Sequence, residues 1–356
     1  VPFRQIRRTL MANLPEPQHT PAQAIYGPPE LRADAEQDRP YLGASELGEP
    51  CARRLYYRFH WAGRECFDGR MYRLFDTGHR EEARVLDELR AVGIEVWDRQ
   101  ADGTQFAVQA HGGHLRGHLD AVVRGLPEAP KTPHVFDVKT VNKKKLAELL
   151  KNGFSKTYPK YHAQGTTYAG LLELDRCAFV FVCKDDETIH LERFEFDRAE
   201  FDRLMERASR VIFAAGPPPG VSSDPAWYEC KFCPSWSLCF DTSVPTATCR
   251  SCAHATAMPD GTWQCERHER TIGVEEQRAG CDDHRFIPAL LANFAELVDA
   301  EDNNVRYRNK LTGAEFVNGA RPGYASAEIA ACADKRALGA AGTDAIRREF
   351  DGRIVE

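Results

Sequence analysis

The sequence lacks a hydrophobic run long enough to cross a lipid bilayer. Its longest apolar stretches, at residues 178–183 and 288–298, fall well short of the roughly 20 residues that a transmembrane helix needs. The first residues also lack the charged and then apolar pattern of a secretory leader. We therefore expect a protein that has no membrane partner and is not exported.

An excess of positive charge is also missing. The formal net charge is −6, which argues against a protein that coats nucleic acid without discrimination. One segment departs from this average, because seven lysines and a single acid, Glu148, lie between positions 139 and 160. Such a run is usually a solvated helix face, but its place beside the motif described below favours a surface that contacts phosphates. The residues expected on that surface are Lys143, Lys144, Lys145, Lys151, Lys156 and Lys160.

No internal repeat is present, and the length of 356 residues suggests about two domains. Residues 1–40 show no sustained period and are interpreted as a loose arm. Helical spacing follows at 41–61, with Cys51 inside the helix, and at 73–92, ending at Gly93. The period then changes to two in IEVWD, QFAVQA, LRGHLDAVV and HVFDVKT, which predicts four strands with a tight turn at Gly112-Gly113.

Helical patterns return at 142–152 and 159–173, before strand patterns at 177–183 and 188–196 and a helix at about 197–214. This order predicts a mixed sheet flanked by helices, of α/β or α+β class. A stiff break runs from Gly216 to Gly220. A cysteine-rich segment follows, and then a C-terminal piece with a helical pattern at 288–299 and a hairpin pattern in NKLTGAEFVNG.

Two acids and a lysine stand in neighbouring strand patterns. Asp137 and Lys139 are two positions apart and therefore share one face of a sheet. Asp120 joins them if its strand is the neighbour. Carboxylate oxygens suit Mg²⁺ or Mn²⁺, and such an ion activates water and neutralises charge on a phosphodiester. The lysine would orient that water or stabilise the transition state.

An isolated Asp-x-Lys triplet occurs by chance in many proteins, so the outer members of the pattern matter. Glu82, on the predicted helix at 73–92, can complete a metal site, with His79 and Glu81 as alternatives. Glu81 is more simply explained as a surface charge. Downstream, Gln164 and Tyr168 stand four residues apart on one helix face. The amide can hold a water or a phosphate, although such a residue is also an ordinary polar helix position.

With these members in this order, the sequence resembles the RecB-like branch of the PD-(D/E)XK nucleases. That family combines a helical acidic or histidine ligand, a G-x-x-D strand, a (D/E)-x-K strand and a Q-x-x-x-Y helix. The matching positions are Gly78…Glu82, Gly117…Asp120, Asp137…Lys139 and Gln164…Tyr168, within residues 41–240. Many relatives carry His where this chain has Glu82. The resemblance implies a restriction-endonuclease-like α/β fold, with Glu82, Asp120 and Asp137 as Mg²⁺ or Mn²⁺ ligands and Lys139, Gln164 and Tyr168 as further catalytic groups.

Twelve cysteines are many for a chain without an export pattern, and close pairs there are more typical of metal or cluster ligands than of disulfides. Cys230, Cys233 and Cys239 lie in an aromatic-rich stretch that we expect to shield a cluster from water. The resemblance extends to iron–sulfur nucleases, the AddB subunit and CRISPR-associated exonucleases, which place one cysteine before the nuclease core and three after it. It implies a [4Fe–4S] cluster with Cys51 as the fourth ligand. Four thiolates also suit zinc, the alternative that residue types leave open.

A second quartet, Cys249, Cys252, Cys265 and Cys281, follows directly. A Cys-x-x-Cys pair with two later cysteines is typical of a structural zinc site, and this segment has few aliphatic residues to fold without one. His268 and His284 each follow a cysteine by three positions and are alternatives to a later thiolate. The cysteines without ligand spacing are interpreted as structural: Cys66, Cys177, Cys183 and Cys332.

The predicted organisation is an arm at 1–40, a cluster-stabilised nuclease domain at 41–243, a zinc-binding module at 244–287 and a helical and hairpin extension at 288–356. The resemblance implies a DNA exonuclease or end-processing nuclease in repair, recombination, or spacer or phage DNA processing, in the cytoplasm of a bacterial or phage-infected cell. Its partners would be DNA and proteins of a recombination or spacer-acquisition complex.

One alternative is a non-catalytic DNA-binding scaffold, which the intact Asp120, Asp137 and Lys139 disfavour. Another is a nuclease directed at RNA.

Overall fold

The computed structural model of the protein describes residues 21, 23–27, 38–63, 65 and 67–355. Most of the arm predicted at residues 1–40 therefore lies outside the described residues, as does Cys66. The chain divides into two units, residues 1–37 with 66–80 and residues 38–65 with 81–356. In the first unit, the rings of Phe67, Tyr72 and Phe75 meet edge to face, with centroids 5.1 to 6.1 Å apart.

The helices and strands are numbered here along the chain. The α-helices are α1 (Ala52–Phe59), α2 (Gly69–Ala91), α3 (Lys143–Asn152), α4 (Phe154–Thr157), α5 (Pro159–Leu172), α6 (Arg198–Ile212), α7 (Tyr228–Lys231), α8 (Trp236–Phe240), α9 (Val274–Ala279), α10 (Ser326–Ala331) and α11 (Ala341–Glu349). The strands are β1 (Leu42–Gly43), β2 (Glu95–Trp97), β3 (Ala107–Ala110), β4 (Leu115–His118), β5 (Ala121–Arg124), β6 (His134–Val141), β7 (Arg176–Cys183), β8 (Ile189–Glu195), β9 (Ala255–Ala257), β10 (Trp263–Cys265), β11 (Arg270–Thr271), β12 (Ala295–Glu301), β13 (Asn304–Asn309) and β14 (Glu315–Asn318). Among the helices that the structure describes, none has the length and apolar character needed to cross a bilayer.

The largest sheet has the strand order β2-β5-β6-β7-β8. β6 and β7 run parallel in its middle, and the other neighbours are antiparallel. Nearly all side chains of both central strands are buried, which is the pattern of strands covered on two sides, although β6 carries the polar residues Asp137 and Lys139 on one face. The predicted class, a mixed sheet with helices, is confirmed.

A second sheet, β1-β4-β3, changes one expectation from the sequence. The segment LRGHLDAVV was predicted as one strand, but β4 pairs with β3 and β5 pairs with β6 in the larger sheet. The alternation of apolar and polar residues continues through residues 119 and 120, so the pattern gives no sign of the change of sheet. Asp120 therefore stands where the chain passes from one sheet to the other.

Two further expectations were wrong. Cys51 does not lie inside a helix, because β1 and a 3-10 turn precede α1 and Cys51 is the residue that caps it. The helical pattern at 288–299 is a 3-10 turn at Pro288–Leu291 followed by β12. Its apolar residues Leu291 and Phe294 instead enter a core under the sheet β12-β13-β14. The hairpin predicted in NKLTGAEFVNG is present between β13 and β14.

The cysteine-rich segment shares a core with α1. Trp263 of β10 is buried in the same cluster as Phe59. Arg250, only 1% exposed, donates hydrogen bonds to the carbonyl of Phe59 at 2.8 Å and to that of Pro40 at 2.9 Å. Its guanidinium also lies 4.0 Å from the ring centre of Trp61. The segment is therefore packed onto α1 and the residues around it, while the predicted domain boundaries stay predictions.

Candidate active site

Asp137 lies in the middle of β6 and is 1% exposed. Its Oδ1 forms an ion pair with the ammonium of Lys139, two positions later on the same strand. Its Oδ2 accepts a hydrogen bond from Nε2 of Gln164, at 2.8 Å, from helix α5. One carboxylate oxygen is therefore hydrogen-bonded to the helix that covers the strand, and the other is paired with the ammonium but accepts no hydrogen bond from the described residues.

Asp120 reaches the same place from the neighbouring strand. Its Oδ2 accepts a hydrogen bond from the backbone N–H of Val138 at 2.8 Å. Val138 lies between Asp137 and Lys139, so this bond fixes the Asp120 side chain beside both. The structure thus brings together the two acids and the lysine that the spacing singled out.

The electrostatics of this group favour a further cation. Burial raises the pKa of both Asp120 and Asp137, and at Asp120 the charge of Asp137 and, less strongly, that of Glu82 raise the pKa further. Burial alone would lower the pKa of Lys139, but Asp137 and Asp120 outweigh it and raise that pKa. Two carboxylates share a single ammonium, so negative charge is in excess and a divalent ion would relieve it.

Gln164 and Tyr168 meet on α5, with Gln164 Nε2 3.4 Å from Tyr168 Oη. Tyr168 is 2% exposed, and its ring lies against the backbone of Gly117. A Cβ at Gly117 would stand 2.5 Å from Tyr168 Cε1 and 2.9 Å from Cβ of Ala44. The glycine of the G-x-x-D pattern is thus required by the tyrosine of the Q-x-x-x-Y pattern.

Glu82 is the one of the three candidates for the first acidic ligand whose charge acts on Asp120. Glu81 forms an ion pair with Arg84 at 3.5 Å, as a surface charge would. His79 is exposed. These positions favour Glu82 over the two alternatives, and its role as a metal ligand stays a prediction.

Tyr161 is a contact of the site that the sequence reasoning missed. The ammonium of Lys139 lies 4.9 Å from the centre of its ring, a cation–π distance. Tyr161 precedes Gln164 by three positions and therefore shares its helix face. That spacing is visible in the sequence and could have identified it.

Half of the lysines expected to contact DNA have acidic partners. The ion pairs are Lys143 with Asp186 at 3.1 Å, Lys145 with Glu148 at 2.7 Å and Lys160 with Glu49 at 2.5 Å. Lys144, Lys151 and Lys156 are exposed and form no ion pair with any residue that the structure describes. These neighbouring acids weaken the positive potential that the lysine run suggested.

The four cysteines of the first quartet, Cys51, Cys230, Cys233 and Cys239, line one small cavity. Burial raises the pKa of Cys230 and of Cys233, and the neighbouring thiols of the quartet raise both further. Cys51 at the start of α1 thus meets the loop that carries the other three. The chain thus brings the start of α1 and residues 230–239 to one point.

Trp236 and Phe240 line this cavity, but three other aromatic residues around it do not shield it, contrary to expectation. Tyr228 is 68% exposed, Phe232 is 78% exposed and Trp227 is 47% exposed. The helices α7 and α8 are only one turn long, so they bury little and direct these rings to solvent.

The second quartet lines a cavity of about 180 Å³: Cys249, Cys252, Cys265 and Cys281, together with His268 and His284. Burial raises the pKa of Cys249 to about 12, with the other three thiols adding to the effect. His284 Nε2 is 2.9 Å from the carbonyl of Thr248, so this nitrogen is held by the backbone. His268 Nε2 lies 3.6 Å from Sγ of Cys281.

No group of three or more His, Cys, Asp or Glu side chains in the described ranges is placed so that it could hold a metal ion. The thiols of each quartet and the two buried carboxylates nevertheless converge. The ligand sets therefore stay predictions. Cys177, Cys183 and Cys332 are buried singly, consistent with structural roles.

No family model and no curated protein matches the chain. Among solved structures, the chain is similar to SSO0001 at 14% identity, with 61% of this chain and 95% of that chain covered and a TM-score of 0.36. It is similar to the Laribacter hongkongensis alkaline exonuclease LHK-Exo in complex with dAMP at 18% identity, with coverages of 48% and 85% and a TM-score of 0.36. A phage-related exonuclease from Haemophilus somnus gives 14% identity, coverages of 38% and 68% and a TM-score of 0.26. Similarities this weak establish neither fold nor function.

Replacing Gly117 by alanine should disturb the packing of the Tyr168 ring next to the site. The new Cβ would meet the Tyr168 ring, so we expect a loss of about 1–3 kcal/mol in the free energy of unfolding. Urea denaturation measures this change in the free energy of unfolding. Gly78→Ala is the matched control, because nothing lies within 4 Å of a Cβ there and a helical alanine should stabilise by about 0.5–1 kcal/mol. Equal effects of the two substitutions would contradict the packing argument.

Replacing Asp120 by asparagine should stabilise the protein in EDTA. The pKa of Asp120 is raised in the folded state. The contribution of this carboxyl to the free energy of unfolding is therefore greatest at low pH and is lost as the pH rises through the folded-state pKa. At neutral pH we expect Asp120→Asn to gain about 1 kcal/mol over the wild type, with the gain disappearing in acid. Asp102, whose pKa is lowered by hydrogen bonds from Thr104, is the control and should lose stability as Asn. An Asp120→Asn protein that is less stable than the wild type at neutral pH would contradict the repulsion between the Asp120 and Asp137 carboxylates.

Proposed function

We propose that the protein is a metal-dependent deoxyribonuclease that hydrolyses phosphodiester bonds. The observation that supports it best is the convergence of Asp120, Asp137, Lys139 and Gln164 at the junction of two sheets. A merely structural group would be unusual here, because two buried carboxylates that repel each other cost stability. That cost is understandable if the site binds a cation and works on a charged substrate.

Each residue has a role in this proposal. Asp120 and Asp137, with Glu82, would hold Mg²⁺ or Mn²⁺, which supplies an activated water and stabilises charge on the phosphate. Lys139 places an ammonium beside the reacting phosphate and orients the attacking water by donating hydrogen bonds. Gln164 holds the Asp137 carboxylate in position. Tyr168, one turn later on α5, contacts the Gln164 side chain and helps to hold it.

The two cysteine quartets are proposed as structural metal centres. Cys51, Cys230, Cys233 and Cys239 would bind a [4Fe–4S] cluster, and Cys249, Cys252, Cys265 and Cys281 would bind zinc. Each set fits because its thiols face one cavity and raise the pKa of buried members, a repulsion that bound metal would remove. Each centre would join segments that are distant along the chain.

From the sequence resemblance we further propose an exonuclease or end-processing activity in DNA repair, recombination, or spacer or phage DNA processing. The protein would act in the cytoplasm, with protein partners from such a complex. The dAMP complex of LHK-Exo is a property of that protein. For this chain, a phosphodiester substrate is proposed because of the residues of the site, and DNA in place of RNA because of the sequence resemblance.

Cleavage of end-labelled single- and double-stranded DNA by anaerobically purified protein tests the activity. With Mg²⁺ or Mn²⁺, Asp137→Ala and Lys139→Ala should each lower the rate by about 10²-fold or more, because each removes transition-state charge stabilisation. Glu81→Ala is the matched control, since that side chain pairs with Arg84 on the surface. Folded wild type that cleaves no DNA with either ion, or variants that cleave equally well, would favour the scaffold alternative.

Metal analysis of the same preparation tests the two quartets separately. Iron and acid-labile sulfide should be present in the wild type and lost in Cys230→Ser, with zinc retained. Zinc should be lost in Cys249→Ser, with iron retained. Cys183→Ser, a buried cysteine outside both sets, should change neither content. Zinc in both sites of the anaerobic protein would exclude the iron–sulfur assignment.

A further inference from the structure

Tyr161 is held against Lys139 by a column of stacked aromatic rings. Its ring stacks on that of Tyr158, with the centroids 5.2 Å apart and an angle of 20° between the planes. Tyr158 stacks in turn on Phe181 of β7, with the centroids again 5.2 Å apart. Phe181 is fully buried and is the register partner of Lys139 in the pairing of β7 with β6. The position of the Tyr161 ring over the Lys139 ammonium is therefore fixed by the sheet that carries the lysine.

The Lys139 ammonium has a carboxylate and an aromatic ring as partners. Asp137 Oδ1 forms an ion pair with it, and the centre of the Tyr161 ring lies 4.9 Å from its Nζ. A lysine has a flexible four-carbon stem, so an ion pair with a carboxylate on the same strand leaves the direction of the ammonium open. The attraction between a cation and the face of a ring restrains that direction. With 20% of the Lys139 side chain exposed, it is still accessible to a ligand.

A ring suits this position better than a further acid. Half of the surface lysines predicted to contact DNA have acidic partners, which offset their charge. At Lys139 another carboxylate would add to the excess of negative charge that Asp120 and Asp137 already produce. The face of Tyr161 attracts the ammonium through its quadrupole and carries no net charge. The ammonium therefore keeps its charge, and its N–H groups that do not face Asp137 can donate to a water or a phosphate oxygen.

We propose that Tyr161 is a positioning residue, which holds the Lys139 ammonium where it orients the attacking water. The inference rests on the proposed nuclease function and on the role of Lys139 in it. Because Tyr161 acts through Lys139, its loss should slow the chemical step and leave DNA binding largely unchanged. A ring that stacked on a base of the substrate would instead change KM.

The test is the rate of DNA cleavage by the anaerobically purified protein with Mg²⁺, measured over a range of DNA concentrations. For Tyr161→Leu we expect kcat to fall about tenfold and KM to stay within about twofold. Tyr161→Phe should keep most of the rate, because phenylalanine retains the ring face and lacks only the hydroxyl. Phenylalanines of increasing ring fluorination at position 161 should lower kcat stepwise, because fluorine weakens the negative potential of the face and changes the shape of the ring little.

The matched control is Tyr41→Leu. Tyr41 is also half-buried and also lies against a cation, with its ring centre 5.7 Å from the Arg116 guanidinium, so its replacement should leave kcat unchanged. Equal kcat values for Tyr161→Leu and the wild type, a loss that appears in KM alone, or fluorinated proteins that cleave as fast as Tyr161→Phe would overturn the proposal. An equal loss of kcat in the control would overturn it as well.

A double-mutant cycle in EDTA tests the contact independently of cleavage. In urea unfolding, Tyr161→Leu should lower the midpoint, relative to Tyr161→Phe, by more in the wild type than in a Lys139→Gln protein, because only the wild type has the cation to lose. Equal shifts in the two backgrounds would overturn the proposal even in a protein that cleaves DNA. Unequal shifts in a protein that cleaves no DNA would support the contact and contradict the nuclease, so the two failures are distinguishable.

Discussion

The Asp137 carboxylate is the interaction on which the candidate site depends. It is buried at the centre of the larger sheet, where an unpaired charge would be very costly. The ammonium of Lys139, on the same strand, is paired with one of its oxygens, and Gln164 of α5 donates a hydrogen bond to the other. Because these two partners come from the sheet and from the helix above it, the carboxylate also fixes the position of α5 on β6.

The position of α5 in turn explains the order of the motifs. Tyr168, one turn after Gln164, packs on Gly117, and three residues after Gly117 the chain changes sheets at Asp120. Each motif is thus a contact of the next, and a substitution in one is felt in the others. Residues spread over about fifty positions act as one packed unit with an excess of negative charge.

The sequence predicted the parts of the fold that are set by local pattern. β6, β7, α5 and α6 lie within a residue or two of their expected positions, because strand patterns or helical spacing in the sequence identify them. The change of sheet at residue 120 leaves the period of two intact and is therefore invisible in the pattern. The helix expected at 288–299 was wrong because Leu291 and Phe294 serve a core made by strands that come later in the chain.

Local pattern likewise predicted some features of the candidate site and not others. Spacing placed Asp137 and Lys139 on one face and named Asp120 on the condition that its strand is the neighbour. The structure shows the backbone hydrogen bond that holds Asp120 beside them, which spacing cannot show. Tyr161 was within reach of a helical-face argument, since it precedes Gln164 by three positions. Composition singled out the six lysines. It cannot show that two of them pair with acids from distant segments, Lys143 with Asp186 and Lys160 with Glu49.

The distribution of charge around the lysine run follows from the fold. Lysines on a helix face are long and exposed, so acids from neighbouring segments can reach them, although each such pair contributes little to stability because both side chains lose conformational freedom. The acids still lower the positive potential of the surface, because three of the six lysines have an acidic partner. A run of lysines in the sequence therefore does not by itself give a surface of strong positive potential.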